Sequence, residues 1–324
     1  MMKAILLCCL FITQPVWALT LSSSDNLNTL SINARYKYQM GALAYQYRHP
    51  NKAQAFGGSD QLSLGLIASR QLNPTVTLIG EMSWDVFNET QADAQLYADQ
   101  AWLGARFYDR LELTVGRSES PVAQVADLTD VFNIFGGQGY RYQELTLDDQ
   151  IKVSFYNNNL DIRAAYAVYD QSKQDSTLNL RTQSAASLGY RADNGLGMVL
   201  ALDHKSSYDL DSDINSIAMG ISYINKQGLY AAISHNRSYY QRAWDVRELT
   251  SWESVISYSF NQLAIGVGYN RLSLAKPEQQ TWTDEYIIAA EYYLIPQAKI
   301  YSEVLLNQVE DKEPLYGIGM QYYF

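Results

Sequence analysis

The segment Tyr316-Gly-Ile-Gly-Met-Gln-Tyr-Tyr-Phe324 alternates from face to face and stops on an aromatic residue. Ile318, Met320, Tyr322 and Phe324 fall on one face; Gly317, Gly319, Gln321 and Tyr323 fall on the other. Side chains on a strand point alternately to its two sides, so one face can meet hydrocarbon while the other meets a wetter or more crowded space. A sheet that closes on itself gives such a last strand a neighbour on both edges, and no edge is left open.

The opposite end of the sequence points to export. Lys3 is a short positive region, Ala4 to Ile12 is a brief apolar stretch, and Val16-Trp17-Ala18 reads as a small-residue cleavage site. This is the pattern of a secretory signal peptide over residues 1–18, too short and wrongly flanked for a membrane helix. Both cysteines, Cys8 and Cys9, leave with it. The remaining 19–324 has no thiol, which excludes disulfides, thiolate metal sites and a cysteine nucleophile. Removal takes one base (Lys3) and no acid, so the formal net charge moves from −10 to −11. An acidic chain of this kind argues against a nucleic-acid partner. No later stretch holds 18 consecutive apolar residues, so a membrane-spanning form would be a barrel, in which every backbone polar group is paired. The 26 tyrosines fit the aromatic girdles of such a barrel. These features predict a bacterial outer-membrane protein whose last strand is read by the barrel-insertion machinery.

Between the ends, short alternating runs are separated by turn residues. Strands are predicted near 29–47, 61–71, 75–87, 98–107, 110–116, 149–157, 160–169, 182–191, 196–206, 214–225, 228–239, 249–260, 262–274, 285–294, 298–308 and 315–324. The predicted fold is therefore all-β, a transmembrane antiparallel barrel of sixteen strands. Short connections such as Gln71–Pro74, Tyr108–Arg110, Asn157–Asn159 and Ala192–Gly195 alternate with longer ones. The longer set is Arg48–Asp60, Asn88–Ala98, Gly116–Asp148, Asp170–Arg181 and Lys276–Asp284. Short turns at one rim and long loops at the other fit an outer-membrane barrel. Alternation places Leu78, Met82 and Trp84 outward and Ile79, Glu81 and Asp85 inward. It likewise places Ile32, Tyr36 and Tyr38 outward with Arg35 and Lys37 inward, and Ile162 outward with Asp161 and Arg163 inward. Ions belong to the lumen, because charge facing lipid is costly.

The loop from Gly116 to about Asp148 breaks the pattern by its length and holds Thr129-Asp-Val-Phe-Asn-Ile-Phe-Gly-Gly137. Before it come Gln100-Ala-Trp-Leu-Gly-Ala-Arg106 and Leu113-Thr-Val-Gly-Arg117; elsewhere stand Leu64-Gly65, Tyr301–Gln308 and the terminal strand. In this order the segments resemble the general diffusion porins of Gram-negative outer membranes, over essentially all of 19–324. The resemblance implies a homotrimer of sixteen-stranded barrels, with the third loop folded into the lumen to narrow a water-filled pore. It also implies acids on that loop facing basic residues on the wall, a charged constriction that sets ion preference. Asp130 occupies the acidic position of the loop. Three positions depart from the family pattern: Ile134 replaces a second acid, and Ser63 and Asp99 replace wall bases. The constriction is expected to comprise Asp130, Asp127 and Glu119 against Arg35, Lys37, Arg141, Lys152 and Arg163, with a net negative lumen and cation preference.

Other readings carry less. Asp130 could serve only as a turn residue, the inward bases could serve only barrel integrity, and Gly136-Gly137 needs no role beyond a bend. Ser234-His235-Asn236 cannot form a catalytic relay on one face, since neighbours on a strand point apart. No Gly-x-Ser-x-Gly elbow is present. Asp209-x-Asp211-x-Asp213 lacks the rest of a calcium loop, with Gly220 where a bidentate acid belongs. The expectation is a passive outer-membrane channel for ions and small hydrophilic solutes, in contact with lipid and lipopolysaccharide. It carries no enzyme activity, cofactor or metal. The alternatives are a substrate-preferring channel and a non-conducting structural or adhesion barrel.

Overall fold

The computed structural model describes residues 19–22, 27–43, 56–89, 95–141, 143–169, 180–207, 213–242, 245–277, 279–309 and 312–324. The expected leader, Asp209 and Asp211 lie outside the described residues. A short strand β1 (Leu19–Ser22) precedes β2 (Asn28–Ala42), β3 (Gly57–Asn73), β4 (Val76–Glu89), β5 (Gln95–Phe107) and β6 (Leu111–Glu119). After the long loop come β7 (Thr146–Tyr156), β8 (Leu160–Val168), β9 (Leu180–Arg191), β10 (Leu196–Ser207), β11 (Asp213–Ile224) and β12 (Leu229–Arg242). β13 (Asp245–Phe260), β14 (Leu263–Lys276), β15 (Gln280–Ile295), β16 (Ala298–Asn307) and β17 (Leu315–Tyr323) complete the chain.

From β2 to β17 each strand pairs antiparallel with the next, and β17 pairs back onto β2. The result is a closed barrel of sixteen staves. The sixteen predicted strands are all present; the first is seen as far as Ala42, and the rest of its predicted span, 44–47, lies outside the described residues. β1 is additional: it pairs with the start of β2, Leu19 opposite Ile32 and Ser22 opposite Thr29. β17 holds the rest of the same edge, Tyr323 opposite Arg35 and Tyr316 opposite Ala42. The two end segments thus make up one stave between them. Several ladders also run past the predicted ends. β4 reaches Glu89, β5 starts at Gln95, β14 reaches Lys276 and β15 starts at Gln280, so two connections expected to be long are short. Apolar alternation stops where lipid stops, but backbone pairing continues beyond it.

The short turns are set locally. Phe107 O accepts from Arg110 N across Tyr108 and Asp109, both with positive φ (51° and 54°), the twist a two-residue hairpin needs. Asn157 Oδ1 accepts from the backbone of Asn159 and Leu160, and Asn225 Oδ1 from Gln227 and Leu229. These side chains stand in for backbone acceptors that the reversal removes.

Exposure follows the predicted alternation. Leu78, Met82, Ile162, Ile318, Met320 and Phe324 are exposed on the outside, whereas Ile79 is buried inside. Among the described residues no helix is long and apolar enough to cross a membrane, which says nothing of strands. The buried polar residues include Gln150, Gln183, Lys205, Glu253, Glu291 and Glu303. A barrel core of this kind is polar inside and apolar outside, the inverse of a water-soluble domain.

Candidate functional site

The long loop leaves the wall at a break in the β6–β7 ladder. Gly116 there has φ 120°, and the register shifts between Gly116 and Ser118. A Cβ on Gly116 would press on the Ala101 carbonyl, so glycine is required where the chain turns inward. Ser120 N donates to Leu145 O at 2.7 Å and ties the two stems together. The buried Gln150 amide donates to the Ser118 carbonyl and, at 3.0 Å, to its hydroxyl.

Small residues on the inner wall make room for the loop. Its single helical turn α1 (Ala123–Ala126) and Tyr140 pack on Ala185, Ala201 and Ala218 of β9–β11. Leu128 and Val131 pack on Tyr230, Ala232 and Val255. Phe132 covers Gly266 and Gly268, while Phe135 joins Ala42, Ile287, Leu305 and Leu315. Each fully buried Val, Leu or Phe contributes about 1.5–3 kcal/mol. The loop therefore crosses the lumen along β9–β17 and stops against β2.

Two wall carboxylates hold its backbone. Glu303 accepts from Asn133 N (2.5 Å), Ile134 N (3.0 Å) and Phe135 N (2.9 Å). Glu253 accepts from Thr129 Oγ1 (2.7 Å) and Gly139 N (2.6 Å). Tyr230 OH donates to Leu128 O at 2.7 Å, and Lys37 Nζ donates to Asn133 O at 2.5 Å. Asn133 Nδ2 also donates to Glu291, which Lys299 neutralises at 3.0 Å. Hydrogen bonds to a charged group contribute about 1.5–3 kcal/mol each, and these are shielded from water.

The opposite edge of the loop carries the acids. Asp130 is exposed to the lumen, its carboxylate folded over Gly136 and Gly137; a Cβ at Gly136 would sit 2.5 Å from Asp130 Oδ1. Gly137 adds φ 63°, which suits glycine. The confined site raises the Asp130 carboxyl above the ordinary aspartate range by desolvation, while Lys37 pulls it down; its exposure means that water screens much of the effect. Asp127, half-buried, is pushed up to about 7 by desolvation and then by Glu119, against the pull of Arg163.

The expected site residues separate into groups. Asp127, Glu119 and Arg163 share one electrostatic neighbourhood, and Lys152 joins it, with Nζ donating to Glu119 O at 3.0 Å. Arg163 is itself held by Asp161 through bonds of 3.0 and 2.7 Å and lies 6.0 Å from the Tyr156 ring centroid. Asp130, Lys37 and Arg35 form a second group beside Glu303. Arg141 stands in neither: it acts on Glu285 and Lys312 near the long-loop rim. The departures from the family pattern also have places. Arg35 Nη2 donates to Ser63 Oγ at 2.8 Å, across the pair that register makes of them. Asp99 sits at a bulge opposite Ser83–Trp84, close to Glu81. Ile134 points at Gly317 within the apolar seam. Glu253, Glu303 and Glu81 were not among the expected site residues, although alternation places all three inward. Ser234 faces Thr129 at 3.1 Å inside the barrel, whereas His235 stacks outward on Trp252 with centroids 4.1 Å apart, so the two point apart.

Comparison with known proteins agrees with this architecture. The family of Gram-negative porins matches residues 55–312. Among solved structures, OmpF of Salmonella typhi, in complex with daunomycin, is 13% identical. It superposes with a TM-score of 0.80, covering 94% of this chain and 100% of that one. The trimer form of OmpT, an outer-membrane protein of Vibrio cholerae, is 14% identical with a TM-score of 0.72, over 92% and 99%. An anion-selective porin from Comamonas acidovorans is 12% identical with a TM-score of 0.72, over 92% and 100%. No curated protein matches by sequence. With the family matching most of its length and its third loop narrowing a sixteen-stave barrel, the chain belongs to the Gram-negative porins and is an outer-membrane porin channel.

Proposed function

We propose that the pore passes ions and small hydrophilic solutes passively and prefers cations. The observation that carries this reading is the third loop, bound to one half of the wall with Asp127 and Asp130 left at its free edge. Those acids, with Glu119, Glu81 and Asp99, face Arg35, Lys37, Lys152 and Arg163. All four bases are already engaged: Arg163 by Asp161, Lys37 and Lys152 by loop carbonyls, and Arg35 by the Ser63 hydroxyl. The narrowed path concentrates the field of the remaining acids on permeating ions. Glu119, Asp127 and Asp130 with Arg35, Lys37, Lys152 and Arg163 make the constriction, and Arg141 contributes at longer range.

The reading includes a leader over 1–18, cleaved on export, and assembly as a homotrimer in the outer membrane, in contact with lipid and lipopolysaccharide. The solved structure of Vibrio cholerae OmpT in its trimer form supports the assembly by analogy of fold alone. The test is the current through purified protein in a planar bilayer under a tenfold KCl gradient. Step-like triplets with a cation-preferring reversal potential are expected. Anion preference would overturn the charge argument, and absence of current would favour a closed structural or adhesion barrel.

A further inference from the structure

Below the third loop, at the short-turn rim, a cavity of about 490 Å³ opens between the loop and the first turns of β7–β11. It is distinct from the constriction: its roof is Gln124 and Leu128, and its floor and sides include Gly189, Gly197, Tyr156, Arg110 and Arg191. Gln124 is almost wholly buried: its Oε1 is closed off and has no hydrogen-bond partner among the described residues, whereas its Nε2 lies against the lining residue Gly189. An amide nitrogen carries two N–H donors, and at this place it can give one to a solute oxygen. Of the charged groups that line the cavity, Asp161 is taken by Arg163, leaving Arg110 and Arg191 against Asp109 alone. Neither arginine forms an ion pair among the described residues. Free guanidiniums favour a planar oxyanion. Tyr156 offers a ring face above a wall thinned by glycine, and Asn157, Asn158 and Asn159 edge the opening with amides.

We infer that this cavity is a subsite for hydroxyl-rich organic anions, of the class of a sugar ring carrying a carboxylate or phosphate. The anion meets Arg110 and Arg191, a hydroxyl oxygen accepts from Gln124 Nε2, and the ring lies against Tyr156. The inference rests on the pore reading, since the solute reaches the cavity through the lumen. It gives the channel a solute preference below its acidic constriction that depends on hydroxyls and a ring as well as on charge.

The test is calorimetric titration of the purified, folded protein with D-glucuronate, D-glucose and cyclohexanecarboxylate. Glucuronate is expected to bind at least tenfold more tightly than the other two. The double variant R110Q/R191Q is expected to weaken it at least tenfold, and Q124L to erase its advantage over cyclohexanecarboxylate. Equal binding of all three probes, or undiminished glucuronate binding in the double variant, overturns the subsite. The same protein in a planar bilayer separates the two readings. Potassium current without any glucuronate binding sinks the subsite and keeps the pore; binding without current keeps the subsite and sinks the pore. With both intact, glucuronate added at the short-turn side interrupts the wild-type current and leaves that of the double variant uninterrupted.

Discussion

The two halves of the barrel use the same side chains for opposite ends. Along β9–β17 the inner wall is covered by the third loop, and its glutamates are acceptors: Glu303 takes three successive backbone N–H groups and Glu253 takes a hydroxyl and an amide. Along β3–β8 the crossing loop leaves the wall uncovered, and Glu81 and Lys152, with Arg35 of β2, sit partly accessible in the lumen. A carboxylate saturated by fixed dipoles has little field left for a passing ion, whereas one facing water retains it. What a glutamate contributes to this pore is therefore decided by whether the loop lies over it.

The sharpest way to break that comparison is to remove one acid from each half. Glu303→Ala strips the acceptor from Asn133, Ile134 and Phe135, a loss of about 3 kcal/mol or more of local stability. Amide exchange over those residues should quicken by about 100-fold. Glu81→Ala should leave that exchange alone and shift only ion preference; equal exchange in both variants would erase the distinction between the halves. Somewhat smaller is the effect of filling the loop's seat. Gly268→Val pushes on the Phe132 ring, a Cβ there lying 2.5 Å from Cζ, and overpacking of this kind costs about 1–3 kcal/mol. Thermal unfolding and current noise should both report it, and a variant as quiet and as stable as the parent would mean that Phe132 is not seated there.

Charge at the free edge comes next. Asp127→Asn with Asp130→Asn should lower the potassium-to-chloride permeability ratio by roughly threefold, about 0.7 kcal/mol at RT of about 0.59 kcal/mol. An unchanged reversal potential would assign selectivity to the wall instead. The smallest expected effect is with pH. Because the Asp127 carboxyl is raised to about 7, its charge is present above that pH and lost as pH falls through it. Cation preference should thus decline between about pH 8 and 6, far above the ordinary aspartate value of about 3.9. Asp127→Asn should flatten the decline; a decline that survives in the variant would belong to another group.

Much of this molecule was legible in its sequence. Sixteen strands followed from alternation and turn chemistry, and Gly116 marked where the long loop departs. The loop's acids were visible as residues, but their surroundings were not. That Asp127 lies beside Glu119 and Arg163, or that Arg141 is carried away toward Glu285, depends on how the loop folds across the lumen. Glu253 and Glu303 could be placed inward by parity, yet their partners lie 114–124 and 168–170 residues away along the chain. No local pattern encodes such a pairing. β1 escaped for a simpler reason: four residues carry too little periodicity to stand out.

The stave shared by β1 and β17 has one more consequence. Phe324 N donates to Ala34 O, and Leu19 lies opposite Ile32, so the final residue runs toward Leu19 in the same direction with a single position of β2 between them. The barrel is a ring with a nick in it. In a variant that lacks residues 1–18, bridging Phe324 to Leu19 with a linker of one or two residues, and opening the chain instead at the Asn261-Gln262 turn, keeps every pairing of the wall. Which strand is first and which is last is thus an accident of where the ring was cut, and the order of synthesis is separable from the architecture it produces.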